Sequence, residues 1–495
     1  MKEWISLKWN RWIKTSVATA LIAASLYTAA PSKANAEKNR TIEDESIYDV
    51  LVDRFFNGSG QNDFEVNTKN DAAFNGGDFA GIISKKAFIE QMGFTIVSLG
   101  TVFETLKYDG SLVTSFDQFE NHFGTAEEFE KIIDTYKKSD MKVMIDFPIN
   151  KLSTEHEWFA QGENKEWIKQ KQGDILVLNL QKPDLQSALQ NSLQQFVKKY
   201  DVSIRLTNIV DAPETFLNSL IDIVKSERAH SYIIANGESN AKFDARYDAT
   251  MIEKQRNIFK TVDQSSNLIV AHKDSNPPTQ VLIDSPWSDR FILYGEREGM
   301  YPPTRAKMAV LSTLLIPGIP VVQYGTEIAV NGEAGNAAHQ LYNFKTDSEL
   351  IDQIKNIQTL RNNSETLRRG DFKVIRNEEG YLAFTRTSEE EQWLVVINNT
   401  SHTESVVLKE DDIGEDKKIT SMLESETIRS DKNGDYSVIL DREMIEIYQI
   451  KDDTGINKSY LIALGLVYIL FIWFVIAVLR RGKLKRAQQN KQKNS

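Results

Sequence analysis

The chain contains no cysteine in its 495 residues. That absence excludes disulfide bridges, thiolate metal sites and thiol nucleophiles, so the fold must be held by core burial or by bound ions. Positive charge is in deficit: 59 Lys and Arg stand against 70 Asp and Glu, a formal net charge of −11. The deficit is uneven. Both ends of the chain are basic, which leaves the central body at about −22 by residue count. A body of that sign disfavours nucleic acid and anionic wall polymers as broad-surface ligands and says nothing against neutral glycans. There is no internal repeat, and long apolar runs are confined to the two ends.

The first of these runs reads as a secretion signal over residues 1–36. Lys2, Lys8, Arg11 and Lys14 precede an apolar stretch over 16–30, and Ala34-Asn35-Ala36 has the small-x-small form of a cleavage site. The alternative, a first membrane anchor, is disfavoured by the shortness and alanine content of the run. The second run, 460–479, is uncharged for about 20 residues, the length a helix needs to cross the hydrocarbon core. Arg480, Arg481, Lys483, Lys485, Arg486, Lys491 and Lys493 follow with no acid among them. A basic flank marks the cytoplasmic side. The expected topology is a single-pass protein of the cell membrane, with an extracellular body, a linker over 451–459, a transmembrane helix over 460–479 and a cytoplasmic tail over 480–495.

Inside the body, short apolar runs at 47–52, 95–99, 142–145, 202–206, 232–235, 268–271, 281–283 and 321–324 read as strands buried on both faces. Helical patterns intervene at 85–92, 126–138, 185–199, 214–225 and 304–315, one of them opened by a Thr125/Glu128 capping box. Eight strands alternating with helices predict an α/β fold, a (β/α)8 TIM barrel over 37–370. The stretch 151–182 is too long for a plain loop and predicts a short insertion after strand 3. From 371 to 450 strand-like runs alternate with polar turns (381–385, 393–397, 444–448), which predicts a C-terminal antiparallel β domain. In such a barrel, chemistry gathers where the strands end at the carboxyl face. Those ends carry Asp146 and Asn150, Arg205 and Thr207, Glu238, and the segment from Asp284 to Asp289.

At this point a resemblance becomes specific. Ile47-Tyr48 with Asp53-Arg54-Phe55, then Gly76-Gly77-Asp78-Phe79-Ala80-Gly81-Ile82, resembles the opening of the α-amylase family, glycoside hydrolase family 13. So do Asn121-His122-Phe123-Gly124-Thr125, Glu155-His156-Glu157-Trp158-Phe159, Pro317-Gly318-Ile319-Pro320 and Gly325-Thr326-Glu327. Leu360-Arg361 with Gly370-Asp371-Phe372 is similar to the family's junction with its C-terminal β domain. Each piece alone is weak, but in this order, from about 47 to 450, they are very specific.

The resemblance implies cleavage of α-glucosidic bonds with retention, and it assigns roles that this chain fills unevenly. Arg205 matches the family's fourth-strand arginine, and the nucleophile position two residues on is Thr207. Gly237-Glu238 matches the fifth-strand motif, so Glu238 retains the acid/base position. The seventh-strand motif, Asp-Asn-His-Asp, is here Asp284-Ser285-Pro286-Trp287, which puts Trp287 at the third carboxylate and Pro286 at a sugar-binding histidine. Lys151 replaces another histidine, and Asp109 and Ser111 replace the aromatic platform after the second strand. Retaining cleavage needs two carboxyl groups about 5 Å apart, and a threonine hydroxyl without a base is a poor nucleophile. General acid catalysis by Glu238 alone is worth about 10²–10⁴, against about 10⁶–10¹⁷ for enzymes as a class. Substrate contacts are expected from Arg205, Asp146 and Trp287. Arg205, held by a buried acid such as Asp146, has a purely architectural alternative, and Trp287 either plugs the vacated space or stacks on a sugar ring. Asp211 and Asp289 are the carboxylates nearest in sequence that could stand in.

The resemblance also implies a structural Ca²⁺ with oxygen ligands from Asn57, Ser59, Asn62, Asp63, Gly76 and Asp78, a donor set suited to a hard cation; the alternative is an ordinary Asn/Gly/Asp turn cluster. Three functions follow: a surface protein that binds an α-glucan, another neutral glycan or a protein partner without cleaving it; a weak α-glucan hydrolase or transglycosylase using Glu238; or a structural component of the membrane surface.

Overall fold

The structure, a computed structural model, describes residues 40–267, 275–346, 349–453, 455 and 458–493. The proposed signal segment and the apolar run 268–271 lie outside the described residues.

Seven parallel strands form one sheet. In chain order they are Ile47–Asp49, Ile96–Ser98, Lys142–Pro148, Ser203–Thr207, Ile233–Ala235, Gln280–Leu282 and Ile319–Gln323. The first strand pairs with the second and also with the last, Ile47 lying opposite both Ile96 and Val321. That wrap-around is the wall of a barrel. Between Ile233–Ala235 and Gln280–Leu282 the ladder is carried by residues 244–246. The Asp244 N–H donates to the Ile233 carbonyl at 3.0 Å, the Arg246 N–H to Pro278 at 2.8 Å, and the Gln280 N–H to the Arg246 carbonyl at 2.9 Å. Arg246 and Thr279 form a parallel bridge. The sixth barrel position is therefore held by 244–246, upstream of the run that hydropathy picks out. Only Ala245 of these three is apolar, and Asp244 and Arg246 flank it, so no apolar pattern announces this strand.

Alternation along the strands sorts side chains into two layers. Ile47, Ile96, Met144, Ile234, Leu282 and Val321 form a cluster inside the barrel, while Tyr48, Val97, Ile145, Ile204, Leu206, Val281 and Val322 pack outward in the larger core. Two residues further along, the interior turns polar: Asp49, Ser98, Asp146 and Gln323 are all buried. Helices Ala126–Lys137, Pro183–Lys199, Glu214–Glu227 and Pro302–Leu315 cover the outside. The first is opened by a capping box, Thr125 accepting from the Glu128 N–H and Glu128 accepting from the Thr125 N–H.

After the third strand, Lys151–Ser153, Ile168–Gln172 and Ile175–Leu178 make a three-stranded antiparallel sheet. Beyond residue 370 the chain forms a six-stranded sheet, with Asp371–Glu378, Tyr381–Thr387, Gln392–Asn398 and Met444–Asp452 as antiparallel neighbours, and a two-stranded sheet from Glu404–Leu408 and Tyr436–Leu440. The two parts are tied by buried polar contacts. Arg305 is fully buried, pairs with Glu443 and donates to Asn399 Oδ1 at 2.8 Å. Asn399 Nδ2 donates to the carbonyls of Ile258 and Thr261, each at 2.9 Å.

The chain ends in one helix, Lys458–Lys493. Its segment Leu461–Leu484 is long and apolar enough to cross a membrane by length and composition, and its most apolar window packs against nothing in the body.

Candidate functional site

The polar layer of the barrel interior is organised by one arginine. Arg205 sits on the fourth strand directly beside Asp146 on the third, the two being register partners. Its Nε donates to Asp146 Oδ1 at 2.7 Å and its Nη2 to Asp146 Oδ2 at 3.0 Å. Its Nη1 donates to Asp49 Oδ2 at 2.8 Å and its Nη2 to Asp49 Oδ1 at 3.0 Å. Two bidentate pairs on one guanidinium are the strong form of this contact. Burial works against the charged guanidinium, but Asp146 and Asp49 outweigh it and raise the Arg205 pKa above its ordinary value. Burial raises the Asp146 carboxyl above its usual range, and Arg205 opposes that shift. Asp49 is the partner that sequence reasoning missed. The signal was present: alternation from Ile47 puts Asp49 on the same inner face.

Above this triad lies a cavity of about 210 Å³. Asp49 and Asp146 form its floor, Thr207, Asn208 and Trp287 its walls, and Asp109, Ser111 and Lys151 are among its other lining residues. Thr207 is buried, and no side-chain base hydrogen-bonds it among the described residues. Trp287 is 49 % exposed and presents part of its indole to the cavity. The Arg205 guanidinium lies 5.3 Å from the indole centroid, a cation–π contact. The Trp287 segment is held from behind: His339 Nε2 meets the Pro286 carbonyl at 2.8 Å and His339 Nδ1 meets the Tyr108 hydroxyl at 3.0 Å. Burial lowers the His339 pKa, which keeps the ring neutral. Nothing local in the sequence announces His339, which reaches this position from a loop far along the chain.

Glu238 is exposed beyond the end of the fifth strand and does not belong to the cavity wall. Among the described residues it makes no hydrogen bond or ion pair. The stand-in carboxylates are engaged elsewhere. Asp211 pairs with Lys169 of the insertion at 2.8 Å on the exposed surface, and Asp289 accepts from the Ala334 N–H at 2.8 Å. Asp284 accepts from the Phe291 N–H at 2.6 Å and from the Thr326 hydroxyl at 2.8 Å.

Of the six oxygen donors expected around calcium, the structure brings three together. Asn57 Nδ2 lies 2.8 and 3.0 Å from the two Asp63 oxygens. A Cβ on Gly76 would stand 2.7 Å from that Asn57 amide and 2.9 Å from Asp63 Oδ1. Asp78 instead caps the helix Phe79–Ser84, accepting from the N–H groups of Gly58, Ser59 and Gly81 at 2.9, 2.8 and 2.5 Å. The Ser59 hydroxyl accepts from the Gln61 N–H, and the Asn62 amide donates to the His122 carbonyl. Asn150 is engaged by the Val210 carbonyl, to which its amide donates, and by the Leu178 N–H, from which it accepts. Among the described residues no three His, Cys, Asp or Glu side chains converge as a metal-binding group. Asp63 and Asn57 are the two side chains of the set that meet, and a cage using all six residues does not form among the described residues.

Comparison with known proteins agrees with this architecture. The α-amylase catalytic-domain family matches residues 49–183 and the α-amylase C-terminal domain family residues 370–448. An Anoxybacillus α-amylase crystal structure is 32 % identical, covering 84 % of this chain and all of its own, with a TM-score of 0.79. The α-amylase of Geobacillus thermoleovorans, solved with acarbose, is 28 % identical with a TM-score of 0.77, covering 84 % of this chain and all of its own. AmyP, solved with maltose, is 16 % identical at a TM-score of 0.70, covering 84 % of this chain and 98 % of its own. Among curated relatives the β/α-amylase of Paenibacillus polymyxa is 23 % identical over 82 % of this chain, which spans only 38 % of that protein. With the barrel, its insertion, the β domain and the order of motifs all in place, the chain belongs to the α-amylase family, glycoside hydrolase family 13, and to carbohydrate metabolism.

Proposed function

We propose that this chain is a membrane-tethered member of the family that holds an α-glucan or a similar neutral glycan in its barrel cleft without hydrolysing it. The observation that carries this reading is the state of Arg205. Its guanidinium is fully committed to Asp49 and Asp146, and the position two residues on, where the family places a nucleophile, is a threonine with no base. Retention requires two carboxyl groups facing the scissile bond; of the three aspartates lining the cavity, Asp49 and Asp146 are held by Arg205, which leaves Asp109 by itself. Trp287 offers an aromatic wall for a sugar ring, beside the polar groups of Asp109, Ser111 and Lys151. The acarbose and maltose complexes of the neighbours support a glycan as the occupant.

The exposed carboxylate of Glu238 favours a second reading, weak hydrolysis with Glu238 as acid. One experiment separates the two. Maltooligosaccharides are incubated with the purified chain and with Glu238→Gln, and indole fluorescence is followed during titration. The expected result is no turnover, with a fluorescence change that Trp287→Ala abolishes. Turnover removed by Glu238→Gln would falsify the binding-only reading. Neither turnover nor binding would leave a structural role at the membrane surface.

The membrane assignment rests on the Leu461–Leu484 segment, the basic residues after it and the signal-like first 36 residues; together they support an extracellular body and a cytoplasmic tail. A Ca²⁺ at Asp63 and Asn57 would be structural, neutralising Asp63 where the loop folds back on Gly76.

A further inference from the structure

The barrel cleft is not the only cavity among the described residues. A groove of about 480 Å³, inside the range of ordinary ligand pockets, lies between the starts of helices Pro302–Leu315 and Glu349–Asn363 and the turn Thr326–Ile328. It shares no lining residue with the cleft. At its rim stands Tyr301, 70 % exposed, the most exposed aromatic side chain described in the body. A tyrosine ring with a polar tip suits the apolar face of a sugar. Behind it the wall is mixed, with Ala306, Ile328, Ala329 and Leu350 beside several polar groups. Thr304 and Lys307 come from the first turns of one helix and Gln353 from the other. The Gln353 amide oxygen is buried with no hydrogen-bond partner among the described residues, an arrangement that costs free energy until a donor reaches it. A polyhydroxyl ligand brings such donors.

We propose that this groove is a second carbohydrate site, taking a short segment of a neutral glycan stacked on Tyr301 with a hydroxyl donating to Gln353. It lies at the starts of helices that follow the carboxyl ends of barrel strands, and so on the same face of the barrel as the cleft. One chain could then engage both, and linked binding raises the effective affinity without any new contact.

Maltoheptaose is the probe, titrated calorimetrically against the full chain in lipid nanodiscs. Trp287→Ala is expected to remove the cleft component and leave a second one. Adding Tyr301→Ala, or Gln353→Leu, should weaken that remaining binding at least ten-fold. Tyr301 is exposed, so its removal leaves the core untouched, and circular dichroism checks the fold of each variant. The proposal is overturned if Trp287→Ala alone abolishes all binding, if Tyr301→Ala and Gln353→Leu both leave the residual binding unchanged, or if no variant binds the probe. Binding that ignores Trp287→Ala and disappears in Tyr301→Ala would uphold this site and sink the cleft reading, so the two fail separately.

Discussion

The two sides of the barrel interior have been treated differently. On the side of strands one to three, the polar groups keep family-like partners. Asp49 and Asp146 grip Arg205, and Asp53 is buried against Arg54 while accepting from the Asn75 and Gly76 N–H groups. The glycines of the opening motif are still required: a Cβ on Gly81 would lie 1.8 Å from the Phe56 carbonyl oxygen. On the side of strands four to seven, the strand ends carry Thr207, Pro286 and Trp287, and Glu238 makes no hydrogen bond or ion pair among the described residues. The difference is one of polar pairing inside the barrel: Asp49, Asp146 and Arg205 satisfy one another, whereas Thr207 and Glu238 have no such partners among the described residues.

The sharpest way to break this comparison is Arg205→Met. It leaves two buried carboxylates without a cation, and the expected loss is about 3–5 kcal/mol in chemical denaturation. A loss under about 1 kcal/mol would show that the scaffold is not what holds the interior. The next test uses His156, beside the insertion on the first side. It is buried, and burial pushes its pKa down to about 3. Between pH 6.5 and 3 the unfolded chain binds a proton that the native chain refuses, so stability falls as pH falls through this window. The contribution at pH 4.5 is about 3 kcal/mol. Melting temperature measured from pH 7 to 4.5 should therefore fall less steeply in His156→Gln than in the parent chain. The smallest effect concerns the loop at Asp63. Chelation with EGTA is expected to cost roughly 1 kcal/mol, read as a small fall in Tm that is absent in Asp63→Asn. An unchanged Tm on chelation would leave this loop as an ordinary turn cluster.

Much of this was legible beforehand because it depends on local periodicity. The strands at Ile47, Ile96 and Ile319 are short apolar runs, and the helices Ala126–Lys137 and Pro183–Lys199 repeat at helical spacing with a clear cap or proline at the start. The sixth strand was not legible, because Asp244 and Arg246 surround its one apolar residue and backbone pairing alone defines it. Arg205 and Asp146 could be placed from strand ends, and their pairing was anticipated. That Asp49 shares the same guanidinium depends on the first and fourth strands facing each other across a closed barrel, which no local window contains.

Trp287 illustrates the same division. Motif order puts it where the family resemblance implies a carboxylate, and an indole there is consistent with a plug or a platform. The neighbouring Pro286 carbonyl is met by His339, whose other ring nitrogen meets the Tyr108 hydroxyl, contacts that cross more than 50 residues in one case and more than 200 in the other. Composition and pattern determined the family, the alternation of strand and helix and the apolar terminal helix, because each is written in side-chain chemistry along a few consecutive residues. The tertiary structure alone decided which acids share Arg205, where Trp287 stands, that Asn57 meets Asp63 and that a second groove opens between two helices, because those outcomes depend on distances between residues that only the closed barrel brings together.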